Sequence, residues 1–230
     1  MKKRVLFSWS SGKDSAWALH VLRQQDEFEV VGLFTTVNQA HDRVAMHAVR
    51  RELLLLQTQR VGLPLEVIEI PEPCSNEDYE VRMAAFVARC QQRKIDCFAF
   101  GDLYLEDIRE YREQKLAGSG IDAIFPLWGL ATDALSQAMI DGGLRAHLTC
   151  VDPRRLNAGF AGREFDRSLL EALPTDVDPC GENGEFHSFV FAGPMFDGEI
   201  AVSLGEVVER GGFVFADLLP GAEGERTDVA

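Results

Sequence analysis

The chain has 230 residues, of which 46% are hydrophobic and 26% charged, which is the composition of an ordinary soluble globular protein and excludes a low-complexity or fibrous chain. The formal net charge is −14, but 13 acidic and only 2 basic residues lie between Ser168 and Ala230, so the acidity belongs mainly to the last quarter and makes nucleic acid an improbable partner. Apolar runs are too short for a membrane helix or a signal peptide, so we expect no membrane contact and a cytoplasmic location. The five scattered cysteines contain no C-x-x-C pair, so we expect no disulfide framework and no structural zinc.

Strand-like and helix-like segments alternate along the first part of the chain. The apolar and amphipathic patterns predict strands at 4–10, 28–37, 63–71, 96–102 and 121–128, and helices at 13–25, 43–62, 75–94 and 106–120. This alternation predicts an α/β fold, a Rossmann-like parallel sheet flanked by helices over residues 1–130. Ligands of such sheets bind at the carboxyl ends of the strands, so the segments that follow the strands should gather at one edge.

The pattern changes after Trp128. A helix at 132–144 and a strand at 145–152 precede a glycine-rich polar connection and several short strand-like runs. We therefore expect a smaller α+β lobe over residues 131–220 and a disordered tail over residues 221–230. A homodimer is compatible with the sequence, which does not determine the oligomeric state.

The segment "LFSWSSGKDSAW" (6–17) joins the first predicted strand to the first predicted helix. Backbone N–H groups at such a turn, with a helix start behind them, form an anion site, and the glycine allows close approach of a phosphate. Lysine adds a positive charge and the serines add hydroxyl groups; the candidate ligands are Ser8, Ser10, Ser11, Gly12, Lys13, Asp14 and Ser15. The bland alternative is a simple helix cap. The G-x-x-x-x-G-K-[ST] pattern of Walker-type NTPases is absent.

"SSGKDS" after a first strand resembles the S-G-G-x-D-S loop of the N-type ATP pyrophosphatases, also called PP-loop or adenine nucleotide α-hydrolase proteins, whose fold is of the HUP type. Ser11 stands where the first glycine of that loop usually lies. Four further segments resemble the diphthine–ammonia ligase family and its bacterial and archaeal relatives, in the family's order: 44–65, "FAFGDLYLEDIREYRE" (98–113), "FPLW" (125–128) and "DPCGENGEFHSFVFAGPMF" (178–196).

This resemblance implies an ATP-dependent enzyme that cleaves between the α- and β-phosphates and releases AMP and pyrophosphate. Its implied cofactors are ATP and Mg²⁺, and its implied partners are ammonia and a small-molecule or protein-borne carboxylate. The loop would stabilise the departing pyrophosphate, with Lys13 as a catalytic charge. Carboxylate oxygens suit Mg²⁺, so Asp14 and Asp102 are the candidate metal ligands, although Asp14 could equally cap the helix. The resemblance also implies that Thr35 and His47 contact the nucleotide; a helical surface histidine is the alternative for His47.

The segment "GDLYLEDIREYREQ" (101–114) follows a predicted strand end, so Gly101 and Asp102 should lie at the ligand edge. We also expect Asp102 to take part in catalysis. The family motif at this helix makes Arg112 and Glu113 candidate nucleotide contacts. The remaining charges of the segment are expected to form surface pairs one helical turn apart.

The segment "DPCGENGEFHSF" (178–189) combines two glycines with several acidic residues. Carboxylates on such a loop can hold an amine or accept a proton during amine attack, which makes Glu182 and Glu185 catalytic candidates. Because "ENGE" contains Asn-Gly, a plain hairpin turn with solvated acids is the alternative. Cys180 has no basic neighbour in sequence and is interpreted as structural.

Two rival functions stay open at this point. A tRNA-modifying PP-loop enzyme would need a basic RNA-binding face, and thiolating members carry paired cysteines, neither of which the sequence offers. A nucleotide-binding sensor without turnover is favoured only by Ser11, whose Cβ could crowd a phosphate. The leading hypothesis is therefore an AMP-forming ligase that adenylates a carboxylate and amidates it with ammonia.

Overall fold

A central parallel sheet organises the first half of the molecule. The computed structural model describes residues 1–38, 43–44, 49–71 and 74–221. Five strands run parallel in the order β4-β2-β1-β5-β6, and a short strand, β3, pairs antiparallel with the end of β2. The strands of this sheet are β1 (Lys3–Ser8), β2 (Phe28–Asn38), β3 (Arg43–Val44), β4 (Leu65–Ile70), β5 (Cys97–Ala99) and β6 (Asp122–Ile124).

Helices connect these strands and cover both faces of the sheet. They are α1 (Lys13–Arg23), α2 (Arg51–Val61), α3 (Asn76–Gln92) and α4 (Glu106–Leu116). Side chains of β1 alternate between two apolar clusters: Val5 and Phe7 join one with residues of α1 and α2, whereas Leu6 joins the other with residues of α3 and α4. A strand buried on both faces is the arrangement expected of a parallel sheet between two helical layers.

A second, antiparallel sheet forms the C-terminal lobe, with the strand order β8-β7-β10-β9. Its elements are α5 (Thr132–Asp141), β7 (Arg145–Val151), α6 (Arg167–Ala172), β8 (Phe186–Ala192), β9 (Val202–Arg210) and β10 (Phe213–Pro220). Phe189 and Phe191 of β8 belong to the same apolar cluster as Val5 and Phe7 of β1. One hydrophobic core therefore joins the two sheets.

The predicted fold class is confirmed, with two local differences. The helix predicted from residue 43 begins at Arg51, because Arg43–Val44 pair with β2 instead. The glycine-rich connection contains α6, whose N-cap Asp166 accepts a hydrogen bond from Leu169 N–H (2.8 Å), a signal that the sequence reading missed. The predicted disordered tail falls, except for Gly221, outside the described residues. Within the described ranges, no helix is both long enough and apolar enough to cross a bilayer.

Candidate functional site

The loop between β1 and α1 lies at the carboxyl edge of the parallel sheet. Trp9 N–H donates to the Phe34 carbonyl of β2 (2.8 Å), which carries the chain past the end of β1. Ser11 then adopts a left-handed backbone with φ of 71°. Helix α1 follows with Gly12 as its N-cap, which has no side chain to cap the helix, and the N–H of Lys13, the first residue of α1, donates to Ser188 Oγ (3.1 Å). The other N–H groups at the start of α1 are suited to an anion.

Gln57 of α2 and strand β8 hold this loop in place. The buried Gln57 amide accepts from Trp9 Nε1 (2.9 Å) and donates to the carbonyls of Ser11 (3.1 Å) and Val190 (2.7 Å). Val190 N–H donates back to the Ser11 carbonyl (3.0 Å). Ser188 Oγ accepts from the Lys13 backbone N–H (3.1 Å). The sequence did not indicate Gln57, Ser188 or Val190 as partners of this loop.

A cavity of about 400 Å³ opens above the start of α1. The predicted site residues that line it are Ser8, Ser10, Gly12, Lys13, Asp14, Ser15, Gly101, Asp102, Arg112 and Glu182. We call it the polar cavity. Ser11 is not among its lining residues, and Ser11 Oγ is buried without a hydrogen-bond partner in the described part of the chain. The side chain that replaces a glycine of the family loop therefore does not crowd this cavity.

A second cavity of about 570 Å³ adjoins the polar cavity and is lined mainly by apolar side chains of β2, α3, β5 and α4. We call it the apolar cavity. The two cavities share Ser8, Ser10, Phe100 and Arg112. The predicted contact Thr35 lines the apolar cavity, together with Tyr79 and Gln91, which the sequence reading did not single out. The two cavities therefore adjoin at their shared residues, and we refer to them together as the groove.

Asp102 and Arg112 form an ion pair inside this groove. Arg112 Nε donates to Asp102 Oδ2 (2.6 Å) and a terminal nitrogen donates to Oδ1 (3.0 Å), while the guanidinium carbon lies 4.3 Å from the centroid of the Phe100 ring. Gly101 packs so tightly that a Cβ there would lie 2.9 Å from the backbone nitrogen of Ser15. Gly101 therefore brings β5 against the start of α1, which explains why glycine occupies this position.

Lys13 and Asp14 form a second ion pair at the base of the polar cavity. Lys13 Nζ donates to both Asp14 oxygens (2.9 and 2.8 Å) and to the Cys180 carbonyl, and the lysine side chain is only 2% exposed. Burial, the largest single effect, lowers the pKa of Lys13, but Asp14, Cys180 and Glu182 together outweigh it and the pKa is raised. Lys13 is therefore a charged ammonium within the protein interior.

The 178–185 loop supplies one of its two predicted carboxylates to the polar cavity. Glu182 lines the cavity, and its Oε1 accepts from Leu103 N–H (2.8 Å). Burial raises the pKa of Glu182 to about 7, with Asp14 and Asp102 acting in the same direction. Glu185 does not line the cavity: it is 1% exposed, and its Oε1 accepts from Asn183 Nδ2 (3.1 Å).

Two further residues of this loop region bear on its chemistry. His187 lines the polar cavity, and burial together with the charge of Lys13 lowers its pKa to about 4, so its ring is neutral at neutral pH. Burial raises the pKa of the Cys180 thiol far above neutrality, and Cys180 Sγ donates to the Thr132 carbonyl (3.4 Å). The thiol is therefore protonated and not a nucleophile, in agreement with the structural interpretation.

Glu113, like Ser11 and Glu185, is a predicted site residue that does not line the groove, and His47 cannot be placed. Glu113 accepts from Arg109 Nε (2.7 Å) on the exposed side of α4 and lines neither cavity. His47 lies outside the described residues. Within the described ranges no cluster of three or more His, Cys, Asp or Glu side chains could hold a metal by itself, so a metal here would need ligands from a bound phosphate as well.

The parallel sheet and the loop at its carboxyl edge, beside the polar cavity, define an α/β protein whose site suits a phosphate-bearing ligand. The model of the diphthamide synthase N-terminal domain matches residues 1–122, and the model of the C-terminal domain matches residues 131–215. The chain therefore belongs to the diphthamide synthase family.

Among solved structures, the chain is similar to the U34-tRNA thiolase NcsA from Methanococcus maripaludis with its [4Fe-4S] cluster. The identity is 17%, the match covers 61% of this chain and 58% of that chain, and the TM-score is 0.38. The chain thus spans less than two thirds of that protein's length, and a likeness this weak carries no argument about function. No curated protein matches the chain.

Proposed function

We propose that the protein is an ATP-dependent, AMP-forming ligase that adenylates a carboxylate and amidates it with ammonia. The observation that carries the proposal is the groove, in which the start of α1 and a titratable carboxylate, Glu182, line the same polar cavity. The apolar cavity adjoins it and is large enough for a nucleoside. Such a groove suits a nucleotide whose nucleoside lies in the apolar cavity and whose phosphates react in the polar cavity.

In this proposal the nucleoside occupies the apolar cavity beside Thr35, and the phosphates lie over the first turn of α1. The backbone N–H groups of that turn, except that of Lys13, which donates to Ser188 Oγ, face the phosphates together with the Ser8 hydroxyl group. The hydroxyl groups of Ser10 and Ser15, which donate to Ser15 Oγ and to the Gly12 carbonyl in this structure, would rotate toward the phosphates. Donors fixed in this way stabilise charge that grows on the departing pyrophosphate, because they need no reorganisation during the reaction. The ion pair with Asp102 keeps the Arg112 guanidinium at the junction of the two cavities.

The donor set fits Mg²⁺ bound together with phosphates. Asp14 and Asp102 line the polar cavity, and each carboxylate oxygen has a second acceptor direction beyond its contact with Lys13 or Arg112. Mg²⁺ commonly binds through one or two carboxylates plus substrate phosphates. When bound there, it would neutralise phosphate charge.

Glu182 is the proposed proton acceptor. The substrate carboxylate attacks the α-phosphorus and pyrophosphate leaves; ammonia then attacks the acyl carbon, AMP leaves, and the new C–N bond releases a proton. A carboxylate whose pKa is about 7 is well matched to accept that proton at neutral pH. The hydrogen bond from Leu103 N–H fixes the orientation of Glu182.

The acid substrate is the least defined part of the proposal. Family membership makes diphthine, the modified histidine of an elongation factor, the first acid to test. The groove itself offers recognition of the nucleotide and of a reacting carboxyl group, so a small-molecule acid is the second class to test.

The experiment incubates purified protein with Mg-ATP, ammonium and either a diphthine-bearing elongation factor or a panel of carboxylic acids, and separates the nucleotide products. Formation of AMP and pyrophosphate that depends on both acid and ammonium supports the ligase. Formation of ADP contradicts it. Tight ATP binding without turnover would favour the sensor, and AMP formation that depends on tRNA would favour a tRNA-modifying enzyme.

Glu182→Gln and Glu185→Gln form a matched pair for the same assay. Both remove one carboxylate from the 178–185 loop, but only Glu182 lines the polar cavity. We expect Glu182→Gln to bind ATP normally and to lose roughly 100-fold in amide formation, the usual scale of a general base. An unchanged rate for Glu182→Gln would refute its role as proton acceptor.

A further inference from the structure

The lysine that the loop motif implies as a phosphate ligand already has protein partners for its ammonium group. Lys13 Nζ donates to both oxygens of the Asp14 carboxylate and to the Cys180 carbonyl. Its side chain is 2% exposed. A phosphate would therefore compete with the Asp14 carboxylate and the Cys180 carbonyl for this ammonium group.

Aromatic rings and strand β8 hold Lys13 in the same orientation. Nζ lies 5.3 Å from the centroid of the Phe186 ring and 5.7 Å from that of Phe165, both within the range of cation–π attraction. At the other end of the residue, the backbone N–H donates to Ser188 Oγ (3.1 Å). Lys13 thus contacts the C-terminal lobe through both its backbone and its ammonium group.

The contact with Cys180 has a direct consequence for the neighbouring carboxylate. Cys180 precedes Gly181 and Glu182 by one and two residues, and Gly181 has a left-handed φ of 69° with its Cα facing the Phe186 carbonyl. Holding the Cys180 carbonyl therefore sets where Glu182 enters the polar cavity. Glu182 completes the connection by accepting from Leu103 N–H, so the loop is held from two sides.

We infer that Lys13 is a positioning residue that fastens the 178–185 loop to the start of α1, and that it is not a ligand of the ATP phosphates. The phosphates are left to the backbone N–H groups and hydroxyl groups of the loop. This assignment differs from the catalytic charge that the sequence motif implies for Lys13. The inference about Lys13 rests on the proposed ligase reaction only for the kinetic test described last, because nucleotide binding and loop order are measured without turnover.

The first test compares Lys13→Met, which keeps most of the apolar stem, with Lys2→Met, which makes the same change at a half-exposed surface lysine. Calorimetry with Mg-ATP should give dissociation constants within about threefold of the wild type for both variants. Hydrogen exchange of the 178–185 amides should accelerate at least about tenfold in Lys13→Met alone, because the loop loses an anchor. A more than tenfold rise in the dissociation constant, or unchanged exchange, would overturn the inference.

The second test uses the wild-type protein, because removal of one partner of a buried ion pair can prevent folding. A crystal structure with a non-hydrolysable ATP analogue should retain the Lys13 ammonium on the Cys180 carbonyl. A phosphate oxygen within about 3.2 Å of Nζ would show Lys13 to be a phosphate ligand and would overturn the inference.

The kinetic readout separates a positioning role from a general structural one. Glu182 is faced by Lys13, Asp14 and Asp102, and the positive charge of Lys13 lowers the pKa of Glu182. In Lys13→Met that pKa should rise above the wild-type value of about 7, so the acid limb of the rate profile for AMP formation should move to higher pH. An unmoved acid limb contradicts the inference. If no acid supports turnover, the ligase proposal fails, whereas the binding, exchange and crystal results still decide the role of Lys13.

Discussion

Ser11 offers a direct test of the loop geometry through protein stability. Its φ of 71° is a conformation that favours glycine, and its buried Oγ has no hydrogen-bond partner in the described part of the chain. Both features destabilise the native state, although the Ser11 carbonyl accepts hydrogen bonds from Gln57 and Val190. Replacement of Ser11 by glycine should therefore stabilise the protein, against the usual effect of a change to glycine.

Three contributions set the size of this effect. Relief of the left-handed backbone is worth about 1 kcal/mol after the extra freedom of glycine in the unfolded chain is counted. Removal of an unsatisfied buried hydroxyl contributes about 1 kcal/mol or more, and loss of a buried methylene removes about 0.8 kcal/mol. We therefore expect Ser11→Gly to gain about 1 kcal/mol, or roughly 2–4 °C in Tm for a chain of this length.

Calorimetric melting of three variants distinguishes these contributions. Ser11→Ala removes the hydroxyl but keeps the strained backbone, so its Tm should lie between those of the wild type and Ser11→Gly. Ser11→Thr adds a methyl group and a β-branched side chain at a positive φ, so its Tm should fall. A Tm of Ser11→Gly below the wild-type value would refute the strained, unsatisfied environment described for Ser11.

Three further predictions concern the residues around the loop. Gln57→Leu should lower the free energy of unfolding in urea by about 3 kcal/mol, because Trp9 Nε1 and the Val190 carbonyl lose their hydrogen-bond partner. The control Gln59→Leu, on the exposed side of the same helix, should change it by less than about 0.5 kcal/mol. Gly101→Ala should weaken Mg-ATP binding at least about tenfold in calorimetry, because its Cβ would press on the backbone at the start of α1, while Gly198→Ala, with only a side-chain neighbour at 3.4 Å, should bind normally. The pKa of Glu182 is about 7 in the native state and near 4.5 in the unfolded chain, so its contribution to stability is fully present below pH 4.5 and is lost as the pH rises through 7. Glu182→Gln should therefore be more stable than the wild type by about 2 kcal/mol at pH 8, once solvent screening is allowed for. A difference in Tm that does not depend on pH would contradict this.

The periodic part of the fold could be predicted from the sequence, because helices and strands of the parallel sheet follow patterns within single segments. Short elements were missed where pairing with a distant segment decides the outcome. Arg43–Val44 form a strand only because the end of β2 is available to them, and this partner is not visible in the local pattern.

The same distinction holds within the candidate site. The loop and the Gly101–Asp102 pair were predicted because both follow strand ends. Arg112 and Glu113 are adjacent on one helix and point about 100° apart, so only one of them can face the groove; it is Arg112. Gln57 stands in the run "LLLLQTQ", where a polar residue reads as a surface position, and only the tertiary structure reveals the three buried groups that it satisfies.

The loop between β1 and α1 belongs by sequence to the N-terminal half, but its environment is completed by the C-terminal half. Ser188 Oγ accepts from the Lys13 backbone N–H, and the Cys180 carbonyl accepts from the Lys13 ammonium group. The Val190 carbonyl accepts from the Gln57 amide, and the Val190 N–H donates to the Ser11 carbonyl. A boundary near residue 130 would leave a buried ammonium and several backbone groups without these acceptors, at a free-energy cost of several kcal/mol. The hydrophobic core crosses the same boundary. The conformation of the loop and the position of Glu182 are therefore properties of the two halves together, and under the proposed function this is the physical reason to expect that occupation of one cavity affects the chemistry in the other.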